Sequence, residues 1–417
     1  MTSSAARIEG HVRAVGRGGD AIVETHEGVV IVPGALPGER VHLTRIGAKR
    51  GAPRGRLAEV VAPAKGRRVP ACPHVRACGG CPLMIAEPQL QHALKRDFLE
   101  DACKGLPGAD QTPVTFRPSP IEVGYRRRAR LSWQRDRLGY RARGSKRVED
   151  VPECVVLETS LQQAWRETRT HLAGVLEGEG EVQLGRSREG VVVAIRTRDA
   201  QPPKAFEACG QLAEAPDVAG VQLSVGEGSP AVWGTDTLWV AGGDDTALEA
   251  RADAFFQANE RVNEQLVAEI LALSEPSGAR ILELHAGIGN FTVPLARRAA
   301  RLVAVEQNPS AARACRRNLA AEGLRAHVVE GDANAPPRGR YDVVVLDPPR
   351  QGARALFQRG EGWQSSKRIV YVSCDTATLR RDLQLACASG FRVDHAMAFD
   401  MFPQTAHVES VVRLVRR

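Results

Sequence analysis

The chain has 417 residues, more than one hydrophobic core usually serves, so two or three domains are expected. Apolar residues make up 43%, which excludes a largely disordered chain, and no apolar run is long enough to span a bilayer. The net charge of +8 asks for an anionic partner, while Met1 to Arg13 lack the apolar core of a secretory leader, so a cytoplasmic protein with no membrane contact is expected.

Residues 1–66 read as the first unit. Ala21–Glu24 and Val29–Val32 carry strand-forming residues, and Gly18-Gly19-Asp20 and Pro33 to Glu39 punctuate them. Short strands with glycine-rich turns indicate a small β-barrel. Its tail is basic, with Arg45, Lys49, Arg50, Arg54, Arg56, Lys65, Arg67 and Arg68. Such a tail is either a solvated face or a surface that tracks phosphates.

Residues 67–275 read as a central α+β unit. It opens with Cys72, Cys78 and Cys81 in a C-x5-C-x2-C arrangement, with Cys154 as a distant fourth thiol. In a reducing compartment such cysteines hold a zinc ion or an iron–sulfur cluster rather than disulfides, and His74 could replace one ligand at zinc. The Gly79-Gly80 pair suits backbone N–H groups wrapped around cluster sulfurs, and the spacing favours the cluster. A helix is predicted over Pro88–Cys103, with Leu90, Leu94, Phe98 and Leu99 on one side. The stretch Tyr125–Arg147 follows, with ten Arg or Lys residues against the single acid Asp136. Tyr125, Trp133 and Tyr140 stand among them, a composition that fits phosphate contact with base stacking, or else a solvated strand face over core aromatics.

Residues 276–417 alternate strand and helix. Strands are predicted at Arg280–Leu284, Arg301–Glu306, Ala326–Glu330, Tyr341–Leu346 and Arg368–Ser373, with a closing hairpin of Phe391–Met401 and His407–Leu414. This is the pattern of a doubly wound parallel sheet, so the fold class is α/β. Gly287 and Gly289 follow the first strand and open a helix, where a backbone can turn sharply and approach a ligand. Glu306 ends the second strand, 19 residues after Gly287, where a carboxylate accepts from ribose hydroxyls. Asp332 follows the third strand and Asp347 the fourth, in Asp347-Pro348-Pro349-Arg350. A nicotinamide site would share the first two features, but it would use a fuller glycine fingerprint, and the set favours S-adenosylmethionine.

Cys374 stands just past the fifth strand, over the same edge. An inert core thiol is the structural alternative; a nucleophile is the functional one. Carbon 5 of a uracil is too weak a nucleophile to take a methyl group directly. A thiolate added at carbon 6 makes carbon 5 nucleophilic, and a base must then remove the carbon 5 proton so that the sulfur can leave. Glu409, in Phe402-Pro403-Gln404-Thr405-Ala406-His407-Val408-Glu409, is the candidate base, and His407 is assigned an orienting role. The target must leave its stack, which costs least in a loop of structured RNA.

These residues resemble the RNA 5-methyluridine methyltransferase family over nearly the whole chain, and in particular its cluster-containing 23S ribosomal RNA type. The resemblance implies a Rossmann-like methyltransferase domain behind an N-terminal OB-like barrel of TRAM type and the central α+β domain. It also implies a [4Fe-4S] cluster on Cys72, Cys78, Cys81 and Cys154. In Phe255-Phe256-Gln257-Ala258-Asn259 the resemblance assigns Gln257 to the cofactor, together with Asn290, Glu306, Asp332 and Asp347. His285 stands where the family has a stacking aromatic ring, and Asp375-Thr376 where Asn-Pro is commoner. The expected activity is transfer of a methyl group from S-adenosylmethionine to carbon 5 of a uridine in RNA, by a monomer with no use for DNA. A transfer RNA substrate, methylation of an adenine amino group, and a non-catalytic RNA-binding protein on a vestigial fold are the rivals.

Overall fold

The structure is a computed structural model and describes residues 7–49, 52–360 and 363–417. Arg50 of the expected basic tail lies outside the described residues, as do the side chains of Arg45 and Lys49.

Five strands close a barrel at the N-terminus: β1 Ile8–Val15, β2 Asp20–Thr25, β3 Gly28–Pro33, β4 Arg40–Lys49 and β5 Ala52–Ala62, in the order β1-β2-β3-β5-β4. Alternate residues such as Ile8, Val12, Val23, Val30, Val32, Val41 and Leu43 fill its interior, as a two-residue period requires. Glu39 is fully buried beside the barrel, where Arg67 donates to it at 2.5 and 2.9 Å and the Leu36 and Ala64 amides at 2.9 and 3.1 Å. That set satisfies a charge that would otherwise be costly to desolvate.

Helix α1 (Pro88–Cys103) and strand β6 (Thr115–Arg117) come next, then a seven-stranded sheet. Its members are β7 Arg128–Gln134, β8 Arg137–Arg141, β9 Val148–Asp150, β10 Glu179–Ser187, β11 Gly190–Thr197, β12 Val218–Val225 and β13 Ala231–Gly234. They lie in the order β13-β12-β11-β10-β7-β8-β9. Helices α2 (Thr159–Leu172) and α3 (Pro203–Ala213) cover one face around Leu131, Trp133, Trp165, Leu184, Val193 and Val221. A hairpin, β14 (Thr237–Ala241) and β15 (Ala247–Arg251), packs with Val192 and Ala194 of the opposite face and with Ala286 and Ile288 of the C-terminal unit.

After helix α4 (Glu260–Ser274) come β16 Arg280–Leu284, α5 Thr292–Ala296, β17 Arg301–Glu306, α6 Pro309–Ala321, β18 His327–Glu330, β19 Val343–Leu346, α7 Arg354–Arg359, β20 Arg368–Ser373, α8 Thr376–Ala388, β21 Phe391–Phe399 and β22 Glu409–Arg416. The sheet runs β18-β17-β16-β19-β20-β22-β21-β6, with β16 to β20 parallel and β22 antiparallel to both its neighbours. The parallel strands read as near-continuous apolar runs because both faces are covered.

Packing does not follow the expected boundary at residue 275. β6 pairs with β21, and α1 buries Leu94, Phe98 and Leu99 in the core that also holds Leu282, Tyr371, Leu383 and Phe391. Helix α4 packs on the other face with Ile281, Val345 and Val372. The basic stretch also differs from one expectation: Tyr125 and Trp133 are 3% and 1% exposed, and Tyr140 packs against the central core. Tyr125 and Trp133 are core rings, while Tyr140 is partly exposed and lines the large cavity of the central unit. Arg127 is buried too, donating to the Gln257 and Ala241 carbonyls at 3.0 and 2.9 Å and to Glu260 at 3.1 Å, so it ties the central sheet to α4. Among the described residues no helix is long and apolar enough to cross a membrane.

Candidate active site

The carboxyl ends of β16, β17, β18, β19 and β20 meet at one edge, the place where an open parallel sheet binds ligands. The turn after β16 holds His285, Gly287 and Gly289 at φ of 63°, 58° and 102°. Glycine takes such angles without strain, but His285 does so at a cost. The Gly287 N–H donates to Glu306 Oε2 at 2.8 Å and the Asn308 N–H to Oε1 at 2.7 Å, so the carboxylate at the end of β17 is held rigid beside the glycine turn. Asp332 is exposed past β18, and the Asn334 amide groups hold its carboxyl below the usual range. Burial lowers the pKa of His285, against the pull of Glu306 and Asp332, which gathers these three side chains. Gln257 is 7% exposed and adjoins Phe256, which packs with Ala286 and Ile288 of the glycine turn.

Asn290, expected at the cofactor, stands in the glycine turn with its side chain engaged by α4. Its amide exchanges two hydrogen bonds of 2.9 Å with Asn263 on α4, and its oxygen also accepts from the Gly243 N–H at 3.3 Å. It locks α4 and the β14–β15 turn to the glycine loop.

Cys374 follows β20 and Glu409 opens β22. Ser373 pairs with Ser410, so the next register position sets Cys374 opposite Glu409. Asp347 lies one residue past β19, on the neighbouring strand. Burial pushes the Cys374 thiol up to about 12, with Glu409 and Asp347 adding to the rise and Arg350 opposing it. Glu409 is 3% exposed, and burial raises its pKa well above the usual carboxylate range; Asp347 adds to this. Burial carries Asp347 itself to about 7. Arg350 reaches His407 Nε2 at 3.2 Å, and burial plus the nearby cations lower that imidazole to about 4. A neutral His407 accepts from the guanidinium and orients it toward the thiol; it is a poor base at neutral pH.

Sequence reasoning passed over Glu283. This side chain is 1% exposed in the middle of β16, neither oxygen has a hydrogen-bond partner within bonding geometry, and burial pushes its pKa to about 8. Thr292 is the polar group nearest to it, and Glu306 and Asp347 add repulsion. An acid inside Ile281-Leu282-Glu283-Leu284 was the available signal.

The cysteines form a second centre. Cys78 bridges to Ala142 of the central unit, and the Gly80 N–H points at its sulfur at 3.4 Å. Burial raises the pKa of Cys72 and Cys78 and carries Cys81 to about 12; Cys154 adds to all three, so the four thiols are electrostatic neighbours, while Arg126 opposes at Cys78 and Cys81. Among the described residues no three Cys, His, Asp or Glu side chains converge as a single metal ion requires. Thiols with a backbone N–H on one sulfur are a donor set that a zinc ion or an iron–sulfur cluster would take.

The edge, its glycine turn and its acids define an S-adenosylmethionine-dependent methyltransferase. The family model for the methyltransferase small domain matches residues 258–359, and that for tRNA (uracil-5-)-methyltransferase matches 338–417. Proteins named 23S rRNA (uracil(1939)-C(5))-methyltransferase RlmD are similar along the chain. That of Pectobacterium atrosepticum is 33% identical, covering 93% of this chain and 89% of the relative, and that of Alkalilimnicola ehrlichii is 33% identical, covering 94% and 93%. The chain belongs to this family of RNA uracil-C5 methyltransferases. The crystal structure of Pyrococcus abyssi tRNA (uracil-54, C5)-methyltransferase in complex with S-adenosyl-L-homocysteine shares the fold, with a TM-score of 0.78 at 24% identity over 98% of this chain and 100% of that one.

Proposed function

We propose that this enzyme methylates carbon 5 of one uridine in 23S ribosomal RNA, through a covalent bond between Cys374 and carbon 6. The observation that carries the chemistry is the cross-strand placement of Cys374 opposite Glu409, with Asp347 on the next strand. The substrate follows the names of the RlmD relatives.

Bound S-adenosylmethionine supplies an electrophilic methyl group. Gln257, His285, Glu306, Asp332 and Asp347 stand around the edge that would hold it, and Asn290 braces the turn. Arg350 stabilises the thiolate of Cys374 once its proton has passed to solvent, and sulfur adds to carbon 6 of the flipped uracil. The electron pair then on carbon 5 takes the methyl group as the methyl–sulfur bond breaks, and S-adenosylhomocysteine is the leaving group. Glu409, buried and therefore a stronger base than an exposed carboxylate, takes the carbon 5 proton, and the carbon–sulfur bond breaks.

In this reading residues 1–66 are a TRAM-like RNA-binding barrel, 67–275 a central RNA-binding unit and 276–417 the methyl-transfer unit, to which α1, β6 and α4 are added by packing. Cys72, Cys78, Cys81 and Cys154 would hold the [4Fe-4S] cluster, which pins the basic central unit to itself. The protein works as a cytoplasmic monomer. Mapping 5-methyluridine in cells lacking the protein tests the substrate: one site in 23S ribosomal RNA is lost, and a lost transfer RNA site instead would refute the choice.

A further inference from the structure

The face of the central sheet that the β14–β15 hairpin partly covers carries a polar row that the methyl-transfer chemistry does not use. Cross-strand register aligns Gln222 on β12, Ala194 on β11, Gln183 on β10 and Arg130 on β7. The small Ala194 between longer neighbours leaves a slot. Strands are spaced about 4.8 Å apart, so Gln222 and Gln183 stand roughly 10 Å from each other across it. The cavity there has a volume of about 160 Å3.

Most of the polar groups around the slot are engaged. Arg130 pairs with Glu181, and Arg196 with Asp253 at 2.8 Å. Gln183 accepts from Arg128 Nη2 at 3.0 Å and donates to the Ala252 and Ala254 carbonyls at 2.9 and 3.3 Å. Two lining atoms remain without a partner. Gln222, 6% exposed, donates to Ser224 at 3.2 Å but leaves its Oε1 unpaired, and the buried Nε of Arg128 is also unpaired. Burial, helped by the neighbouring Arg130 and Arg126, drops the Arg128 guanidinium to about 10, which marks how little solvent it sees.

An unpaired, buried acceptor beside a slot of this size suits an exocyclic amine of a nucleobase, and Arg128, three strands away on β7, bounds the opposite end of the slot. The terminal torsion of a glutamine is soft, so the Gln222 oxygen can turn to meet an entering group. A larger cavity of about 890 Å3 shares Arg130 and Glu181 with the slot and runs past Arg54, Arg141 and Arg143 to Arg350 beside Cys374. The Arg130–Glu181 pair therefore stands between two parts of one trough. Resting on the RNA reading above, we infer that the slot takes a second unstacked base of the same RNA, one bearing an exocyclic amine, while the target uridine occupies the catalytic edge.

The probe is a 23S ribosomal RNA fragment spanning the methylated loop, used intact and as a series with one base deleted at each position around the target. With the wild-type enzyme, deletion of one amino-bearing base weakens binding about tenfold. Gln222→Leu removes the unpaired acceptor at nearly constant volume. It binds the intact fragment about tenfold more weakly, and the sensitive deletion then costs nothing further. Its melting temperature does not fall, because a buried polar atom without a partner has been removed. Ala194→Leu, which fills the slot from its floor, has the same effect on the scan, and both variants bind S-adenosylhomocysteine as the wild type does. A flat scan, or deletion penalties that persist unchanged in Gln222→Leu, overturns the slot while leaving methyl transfer intact. Failure of the wild-type enzyme to methylate the intact fragment overturns the functional reading and the slot with it.

Discussion

Cys374 is held as a thiol in the free enzyme, because burial and two nearby carboxyl groups outweigh Arg350 and a backbone N–H, which favour the thiolate. The thiolate fraction then grows about tenfold per pH unit well past neutrality. Alkylation of the free enzyme by iodoacetamide should rise by that factor for each unit between pH 7 and 10, and Arg350→Met should slow it severalfold; a plateau near pH 8 would contradict the thiol's environment. Glu409→Gln should still form the adduct but release it at least about 10²-fold more slowly, read as protein–RNA complex that survives denaturing gels. Glu283 gives a stability signature. Its folded pKa of about 8 lies above the unfolded value near 4.5, so the folded state binds the extra proton between them. Stability is greatest below the unfolded pKa and is lost as pH rises toward 8. The melting temperature of the free enzyme should fall from pH 5 to 8, and Glu283→Gln should flatten that fall. Cys374 and Glu409 were legible as neighbours because each stands at a strand end within a distinctive motif. The bond from Asn290 to Asn263 was not, since Asn263 sits on a helix whose packing no local pattern reveals.

Helix α1 shows what position along the chain conceals. The spacing of Leu90, Leu94, Phe98 and Leu99 fixed its bounds and its apolar side, but an amphipathic side does not name the surface it covers. In the fold it grips the segment that leads into the catalytic strand. Lys95, fully buried, donates to Asp400 at 2.5 Å and to the Phe402 carbonyl at 3.0 Å, and Gln91 exchanges two hydrogen bonds of 2.9 Å with Gln404, which sits at φ 72°. Burial pulls the Lys95 ammonium below its usual range while Asp400 pulls it back. Lys95→Ala leaves Asp400 buried with only His92, at 3.5 Å, beside its carboxylate and should cost about 3 kcal/mol; Lys95→Met with Asp400→Leu should cost much less. Chemical denaturation measures both, and equal losses would deny the pair its role. The parallel strands were legible to within two residues because apolar runs on a doubly covered sheet leave a plain trace. β6 was not, since three residues with one partly buried side chain carry no pattern.

At the scale of the molecule, the trough runs between the barrel, the seven-stranded sheet and the loops of the eight-stranded sheet. Arg143 binds Asp20 of the barrel at 2.8 Å, Cys78 bridges to the turn before Arg143, and Arg350 closes the far end. The sequence showed an excess of arginine here but not which arginines the fold exposes, because Arg127 turns inward while Arg130 and Arg141 face the trough. If Arg141 meets a phosphate, Arg141→Ala should lessen the slope of log affinity against log salt by roughly 0.7 and leave kcat unchanged. An unchanged slope would remove Arg141 from the RNA surface. All of this surface serves to bring one base to one sulfur, and that bond can be trapped. RNA carrying 5-fluorouridine at the target position has no carbon 5 proton for Glu409 to remove, so the enzyme should stop as an adduct through Cys374, visible by mass spectrometry of the tryptic peptide and absent in Cys374→Ala. Methylation of normal RNA by Cys374→Ala, or no adduct from an enzyme that turns over the natural substrate, would contradict the account.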